Sequence, residues 1–508
     1  MGRTNRLRAA ALAAVLALPV CTFASDWKLE AGVTGRETYT DNVALTSTNR
    51  QSDFITEVNP FINASKKGAR FQADVHYTLQ NLFYADQSSR NRTNHQLAAG
   101  AKAELYENEL FLDANASISQ QLTSLLGAVG TDNTSATGNL ATVYSVSVSP
   151  YWQHRFGSTA NLLARYSHSE VSSSGSSFSN SSINAVNASL SSGSAFKDVF
   201  WSLAASDQET DYSNRPNVTI STVSGTLGYS ITPKLRVNGT VGYDKNQYQS
   251  AGAPIEGSFW TAGASWAPSN RTSLSGSFGE RYFGKTYSFA FDHRARTTTW
   301  HAAYAQNVTT TSSQFSLPYG VSTADYLDSQ LLSLYPDPAE RAFMVALITA
   351  VYGLPPVLTD RLNLLTNAVY LDKRFDASVA YKTAKTVTTL TLFDAMRESL
   401  ESGSSSTILF GGDIFASTQT VKQRGGAVSW LWRMNPRLSA SASFNLSRNS
   451  FPTLGRTDTL TAVNLGLTRT FNNKLTGGVS VRHQQRSSNT AGSDFKENAV
   501  IGSVSYKF

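Results

Sequence analysis

Seven histidines, one cysteine and one compact serine, histidine and acid trio are the residues whose chemistry could be hydrolytic, nucleophilic or metal-binding. The trio is His168-Ser169-Glu170. On a strand, successive side chains point to opposite faces, so His168 and Ser169 cannot form a base–nucleophile dyad there. The histidines (His76, His95, His154, His168, His293, His301 and His483) are scattered, and no two sit at the spacing of a zinc helix. A phosphate-cradling Walker loop and a GxSxG elbow are both absent from the sequence. The sole cysteine, Cys21, lies in an N-terminal segment that reads as cleaved, which leaves no disulfide and no thiol chemistry. No catalytic residue, metal ligand or cofactor is therefore expected, and the chain does not read as an enzyme.

What remains is charge placed at every second position. Eleven such residues are candidates to line a wet interior: Arg36, Asp74, His76, Lys102, Glu104, Asp113, Arg165, Arg236, Asp244, Arg281 and Arg482. Rings of mixed charge tune the passage of polar solutes. The plainer reading is that they solvate a polar lumen, and no ring is skewed enough to name a solute. Lys+Arg number 43 against 36 Asp+Glu, a net charge of +7 of which Arg3, Arg6 and Arg8 supply three. Spread over 508 residues, this is no nucleic-acid footprint.

The elements that must hold these charges repeat with a period of two, the period of strands. Leu235, Val237, Val241 and Tyr243 alternate with Arg236, Asn238, Thr240 and Asp244. Phe71, Ala73, Val75, Tyr77 and Leu79 alternate with Gln72, Asp74, His76 and Thr78. The segments are long enough to cross a bilayer at a tilt, for which about 9–11 residues suffice. Their polar faces carry charge on strand after strand, as a wet lumen requires. Aromatic residues gather at segment ends, at Tyr151/Trp152, Trp260/Trp266, Trp430/Trp432 and Tyr506/Phe508, as expected of interfacial girdles. Short turns such as Glu107-Asn108-Glu109 and Asn472-Asn473-Lys474 alternate with long polar connections such as 40–52, 121–139 and 487–496. The fold class expected is all-β, a transmembrane antiparallel β-barrel of about 22 strands (range 20–24), with short periplasmic turns and longer outer loops.

Residues 1–24 read as a signal peptide. Three arginines precede an apolar run from Ala9 to Val20, and Thr22-Phe23-Ala24 fits cleavage after Ala24. The barrel occupies 25–508. One stretch, 313–363, breaks the alternation and reads as a helical insert in an outer loop. Ala324 to Leu334 and Pro338 to Tyr352 are its predicted helices, with Asp337 capping the second. Val500, Val504, Tyr506 and Phe508 share one face of a last strand that ends the chain. Val504, Tyr506 and Phe508 are the candidate signal for the outer-membrane assembly machinery. Barrels near 22 strands are typically plugged, so the insert or a long loop is expected to obstruct the lumen.

Four motifs carry a family resemblance. They are Glu37-Thr38-Tyr39-Thr40-Asp41-Asn42-Val43, Arg281-Tyr282-Phe283-Gly284-Lys285-Thr286-Tyr287, Pro336-Asp337-Pro338-Ala339-Glu340-Arg341 and Tyr370-Leu371-Asp372-Lys373-Arg374-Phe375. Together they resemble the outer-membrane proteins of the PEP-CTERM/exosortase system of Gram-negative bacteria. The resemblance implies a link to exopolysaccharide and its export apparatus, and it brings no catalytic residue with it.

Two functions are therefore expected as rivals. One is a conduit or accessory for export of exopolysaccharide or another polar solute. The other is a non-conducting structural barrel that binds exopolysaccharide or a partner through its outer loops. A TonB-dependent receptor is disfavoured, since no plug domain is seen before the first strand. Expected partners are outer-membrane lipid and the assembly machinery, with no nucleic acid. The expected location is the bacterial outer membrane, as an integral protein with both chain ends periplasmic.

Overall fold

The computed structural model describes residues 27–174, 178–249, 255–316, 365–401 and 414–508. The strands are β1 (Lys28–Thr40), β2 (Asp53–Lys67), β3 (Phe71–Tyr84), β4 (Arg92–Tyr106), β5 (Leu110–Leu122), β6 (Leu140–Phe156), β7 (Ala160–Ser174), β8 (Ser181–Ser192), β9 (Val199–Tyr212), β10 (Val218–Thr232) and β11 (Leu235–Gln247). They continue as β12 (Glu256–Ser269), β13 (Thr272–Arg281), β14 (Gly284–Arg294), β15 (Thr298–Thr309), β16 (Tyr370–Lys382), β17 (Thr386–Ser399), β18 (Thr420–Asn435), β19 (Leu438–Phe451), β20 (Arg456–Thr470), β21 (Leu475–Ser488) and β22 (Phe495–Lys507). Each strand pairs antiparallel with the next. β22 returns to β1, from Gly32↔Lys507 to Thr40↔Ala499, and closes a 22-stranded barrel.

The alternation in the sequence becomes two faces. Leu29, Val58, Leu227, Val241, Leu465, Val479 and Val504 are exposed on the outside. Thr38, Glu57, Asp244, Gln484 and Glu497 are buried on the inside. This inverts the arrangement of a soluble protein and fits a wall surrounded by lipid. Among the described residues no helix is long and apolar enough to cross a membrane. The crossing is made by strands.

Turn chemistry fixes the register at one end. Asn472 Oδ1 accepts both the Lys474 and the Leu475 amide at 2.8 Å, an Asx turn between β20 and β21. At the opposite, loop end, one connection departs from the expected pattern. β13 and β14 are joined by Tyr282 and Phe283 alone, and Gly284 follows at φ +108°, a value that disfavours any side chain. The wall is therefore low at that hairpin.

Tyr151 also departs from expectation. Its place at a segment end predicts a girdle residue, but it faces inward and is buried, stacked on Phe111 at 5.0 Å. Its neighbour Trp152 is the exposed ring. The parity of adjacent strand positions explains the split.

The apolar core is gathered at the loop end of the lumen. One cluster joins Leu125 to Ala368, Tyr370, Ile414, Phe415, Val421 and Phe451. A second joins Ala141, Val143, Val171, Phe178 and Ile183 to Phe315 and Leu365. A short helix, α1 (Thr311–Ser316), begins the expected insert. The predicted helices at Ala324 to Leu334 and Pro338 to Tyr352 lie outside the described residues, as does the cleavage site after Ala24.

Candidate functional site

The site is built by the segment 123–139, which links β5 to β6. Its two ends are stapled by Asn139. Oδ1 of Asn139 accepts the Thr123 hydroxyl at 2.7 Å and the Ser124 amide at 3.0 Å. Nδ2 donates to the carbonyls of Ser124 at 2.7 Å and Ala128 at 3.1 Å. The chain passes so closely that a Cβ on Gly127 would lie 2.7 Å from the Asn139 amide. Only glycine fits there without displacing the staple.

The far part of this segment meets a cluster of charges. Asp132 is paired with Arg482 of β21 and, at 3.4 Å, with Arg36 of β1. Arg482 also binds Glu497 of β22 at 2.7 Å, and Arg36 lies 3.5 Å from Glu57 of β2. Thr40 donates to Glu497 at 2.9 Å. Burial would raise the Asp132 carboxyl, but the Arg482 and Arg36 charges and the Thr134 hydrogen bonds outweigh it. They hold the group well below the usual carboxylate range.

Further anchors fix the segment on both sides. Tyr84 of β3 donates to the Thr134 carbonyl at 2.8 Å, and Arg92 of β4 to that of Ser135 at 3.1 Å. Arg456 of β20 donates to the Leu126 carbonyl at 2.9 Å, and Arg486 of β21 donates to that of Gly127. Arg486 also pairs with Asp458 at 2.5 Å. Leu125 reaches the cluster containing Tyr370 and Phe451. A segment that touches inward residues of β1, β3, β4, β16 and β18 to β21 lies within the barrel, across its loop end.

A second stretch enters from the other side. Ser312 of α1 accepts a bond from Ser181 of β8 at 2.8 Å, and Ser313 one from Gln208 of β9 at 2.7 Å. The Phe315 carbonyl accepts the Ser145 hydroxyl of β6 at 2.7 Å. The Ser179 amide donates to Asn367 at 2.8 Å. Arg215, in the β9–β10 loop, pairs with Glu401 beyond β17 at 2.5 Å. Strands far apart in order are thus linked across the loop end.

Register places all eleven sequence candidates on the inward face. They fall into groups. Arg36 and Arg482 belong to the Asp132 cluster. Arg165 binds Asp113 at 2.8 Å and lies 4.1 Å from the Tyr151 ring centre, with Lys102 5.7 Å from the same ring. Arg281 holds Asp244 through Nε at 2.9 Å and lies 4.6 Å above Phe259. Arg236 lies 6.0 Å from Phe200 and His76 bonds Asn63 at 3.0 Å. Asp74 stands opposite Ser65, and Glu104 accepts the Asn108 amide at the turn end.

Sequence reasoning missed Glu57, Asp132, Asp458, Arg486 and Glu497. Asp132 carries no periodic signal, because it sits in an irregular loop. Glu57 shares its face with Ile55 and Phe61, which blurs the alternation on β2. Strand parity alone would have recovered Glu497, two positions from Ala499 on β22. His168 and Ser169 separate as expected: Ser169 bonds Ser147 inside, while His168 bonds Asn184 on the outer face.

Residues 423–508 match the family model described as "Putative beta-barrel porin 2". The match is confined to the last strands of a closed 22-stranded antiparallel β-barrel of the outer-membrane type. No curated protein matches the sequence. Among solved structures it is similar to the FrpB iron transporter from Neisseria meningitidis, with 10% identity, TM-score 0.49 and coverage of 94% of this chain and 82% of that one. It is similar also to the siderophore receptor PiuA from Acinetobacter baumannii, with 10% identity, TM-score 0.49 and coverage of 95% and 82%. Pseudomonas aeruginosa OccK3 is a further similar structure, with 12% identity, TM-score 0.32 and coverage of 95% and 96%. At this distance no activity passes from them to this chain.

Proposed function

We propose that the barrel is a conduit for a polar solute, held closed in this state by its own segment 123–139. The observation that carries the reading is the attachment of that segment. It is held inside the lumen by polar contacts, chiefly Asp132 between Arg36 and Arg482, beside an apolar anchor at Leu125. A closure that must come away is better built from ion pairs, whose partners on the wall remain satisfied by Glu57 and Glu497 when it leaves. The solute class is polar because the inward face below the closure carries the Asp113/Arg165 and Asp244/Arg281 pairs. Exopolysaccharide is the solute favoured by the resemblance of the four motifs, with both chain ends on the periplasmic side.

The test is single-channel recording in planar bilayers. Wild type opens rarely, and the Asp132→Ala protein opens often. A protein lacking residues 126–137 that folds and stays silent overturns the conduit. The rival reading, a non-conducting barrel that binds polymer through its loops, is favoured by the filling of the mouth from two sides. Polymer capture by that silent protein would then select it.

A further inference from the structure

The wall is not fully zipped between β14 and β15. They pair only from Phe289↔Tyr304 to Arg294↔Thr299. Continued upward, the same register would set Gly284–Ser288 against Ala305–Thr309, yet among the described residues no pairing occurs there. Each half-strand remains paired on its other side, β14 to β13 as far as Gly284 and β15 to β16 as far as Tyr370. The wall is therefore slit at the loop end over five residues, roughly 16 Å at strand rise.

The cause is visible in the packing. Val308 has the parity of the outer face, but it packs against a buried cluster that contains Tyr212, Val218 and Tyr248, which lie on the inner parity of β9 to β11. Val369, also of outer parity, is fully buried in the same cluster. The ends of β15 and β16 have curled into the lumen until their outer face meets the apolar layer carried by β9 to β11. The slit thus leads from the lipid side to an apolar layer that also includes Ile220, Ile255 and Leu400. Its rim is aromatic, with Tyr282 and Phe283 edge to face at 5.2 Å in the low β13–β14 turn. On the β15 side, Oε1 of Gln306 is buried without a hydrogen-bond donor, although its Nε2 donates to the Tyr304 hydroxyl at 2.7 Å. A buried acceptor without a donor is costly and points to a donor supplied from elsewhere.

We infer that this slit is a lateral binding port for a membrane amphiphile. Its acyl chain would enter between β14 and β15 onto the apolar layer, and a hydroxyl of its head would donate to Gln306. The bilayer delivers such a molecule directly, since the slit opens on the outer face beside the exposed rings of Tyr287 and Phe289. The port does not depend on whether the axial lumen conducts.

The test uses the protein reconstituted in lipid with a diazirine-tailed acyl glucoside, photolysed and mapped by peptide mass. Label on Tyr212, Val218 or Tyr248 is expected in the wild type. A Ser288→Cys/Ala305→Cys protein, oxidised to zip the slit, should lose that label at least tenfold and regain it on reduction. Val308→Trp, which fills the cleft without a cross-link, should lose it likewise. Gln306→Leu should weaken the glucoside's competition by a tail-only probe. Label confined to the outer face, or unchanged by both the cross-link and Val308→Trp, overturns the port. A co-purified polypeptide cross-linked at Gly284–Ser288 in its place also overturns it, in favour of strand addition.

Discussion

Replacing Asp132 with alanine removes one carboxylate from a cluster of five charges. Arg36 and Arg482 face Glu57, Asp132 and Glu497. Without Asp132 the wall keeps two cations and two anions, so each arginine still has a partner. The wall therefore escapes the full penalty of a broken buried pair, which is about 3–5 kcal/mol. The loss falls on the docking of segment 123–139. Hydrogen bonds to charged groups contribute about 1.5–3 kcal/mol each. The Arg36 contact is long and partly solvated, so the Arg482 contact dominates. A weakening of roughly 2–3 kcal/mol follows, equivalent to about a 30- to 150-fold rise in the undocked fraction. Single-channel recording should show openings more frequent by that factor, at unchanged unitary conductance. Asp132→Glu, which keeps the charge on a longer arm, should recover most of the closure. Opening rates within twofold of wild type in a correctly folded Asp132→Ala protein would refute the role given to this contact.

Further predictions follow from neighbouring features. The Asp132 carboxyl is held low, so its contribution to docking is complete above the unfolded value of about 3.9 and is lost as pH falls through the depressed folded value. Opening frequency should stay flat from neutral pH to about pH 5 and rise only in strong acid, and Asp132→Asn should remove the acid step. Leu125→Ala empties a buried site beside Tyr370 and Phe451 and should cost about 2–5 kcal/mol, read as faster hydrogen exchange confined to 123–139. Asp113→Asn uncovers the Arg165 charge on the inward face, so the reversal potential under a salt gradient should move toward anion preference. Phe508→Ala should slow insertion by purified assembly machinery without altering the finished barrel, because the Phe508 ring is exposed against Tyr506 and the bond to Ala31 comes from its backbone amide.

The wall was legible because a bilayer imposes a strict period of two. The eleven inward residues named from sequence were each found by counting along their own strand, and the strand number followed from turn residues such as Asn472. The closure was not legible for the opposite reason. Asp132 earns its place through Arg482, 350 positions away, and no local pattern records that contact. Loops that fold inward and loops that fold outward are equally rich in Ser, Thr and Asn. The slit was hidden differently. Residues 305–309 carry no glycine or proline that would mark them off from the rest of β15, and only the positions of Val308 and Val369 against β9 to β11 reveal that this stretch has turned over.

The pairing of strands in chain order has a consequence for how the protein is made. Every wall contact except one joins consecutive strands, so the sheet can grow hairpin by hairpin from either end. The exception is the seam of β1 with β22, which unites the two ends of the barrel. The Asp132 cluster straddles that seam, taking Arg36 from one side and Arg482 and Glu497 from the other. An unfinished sheet cannot offer both. The segment therefore has its full set of partners only once the last strand has met the first, and a sealed mouth is a report that assembly is complete.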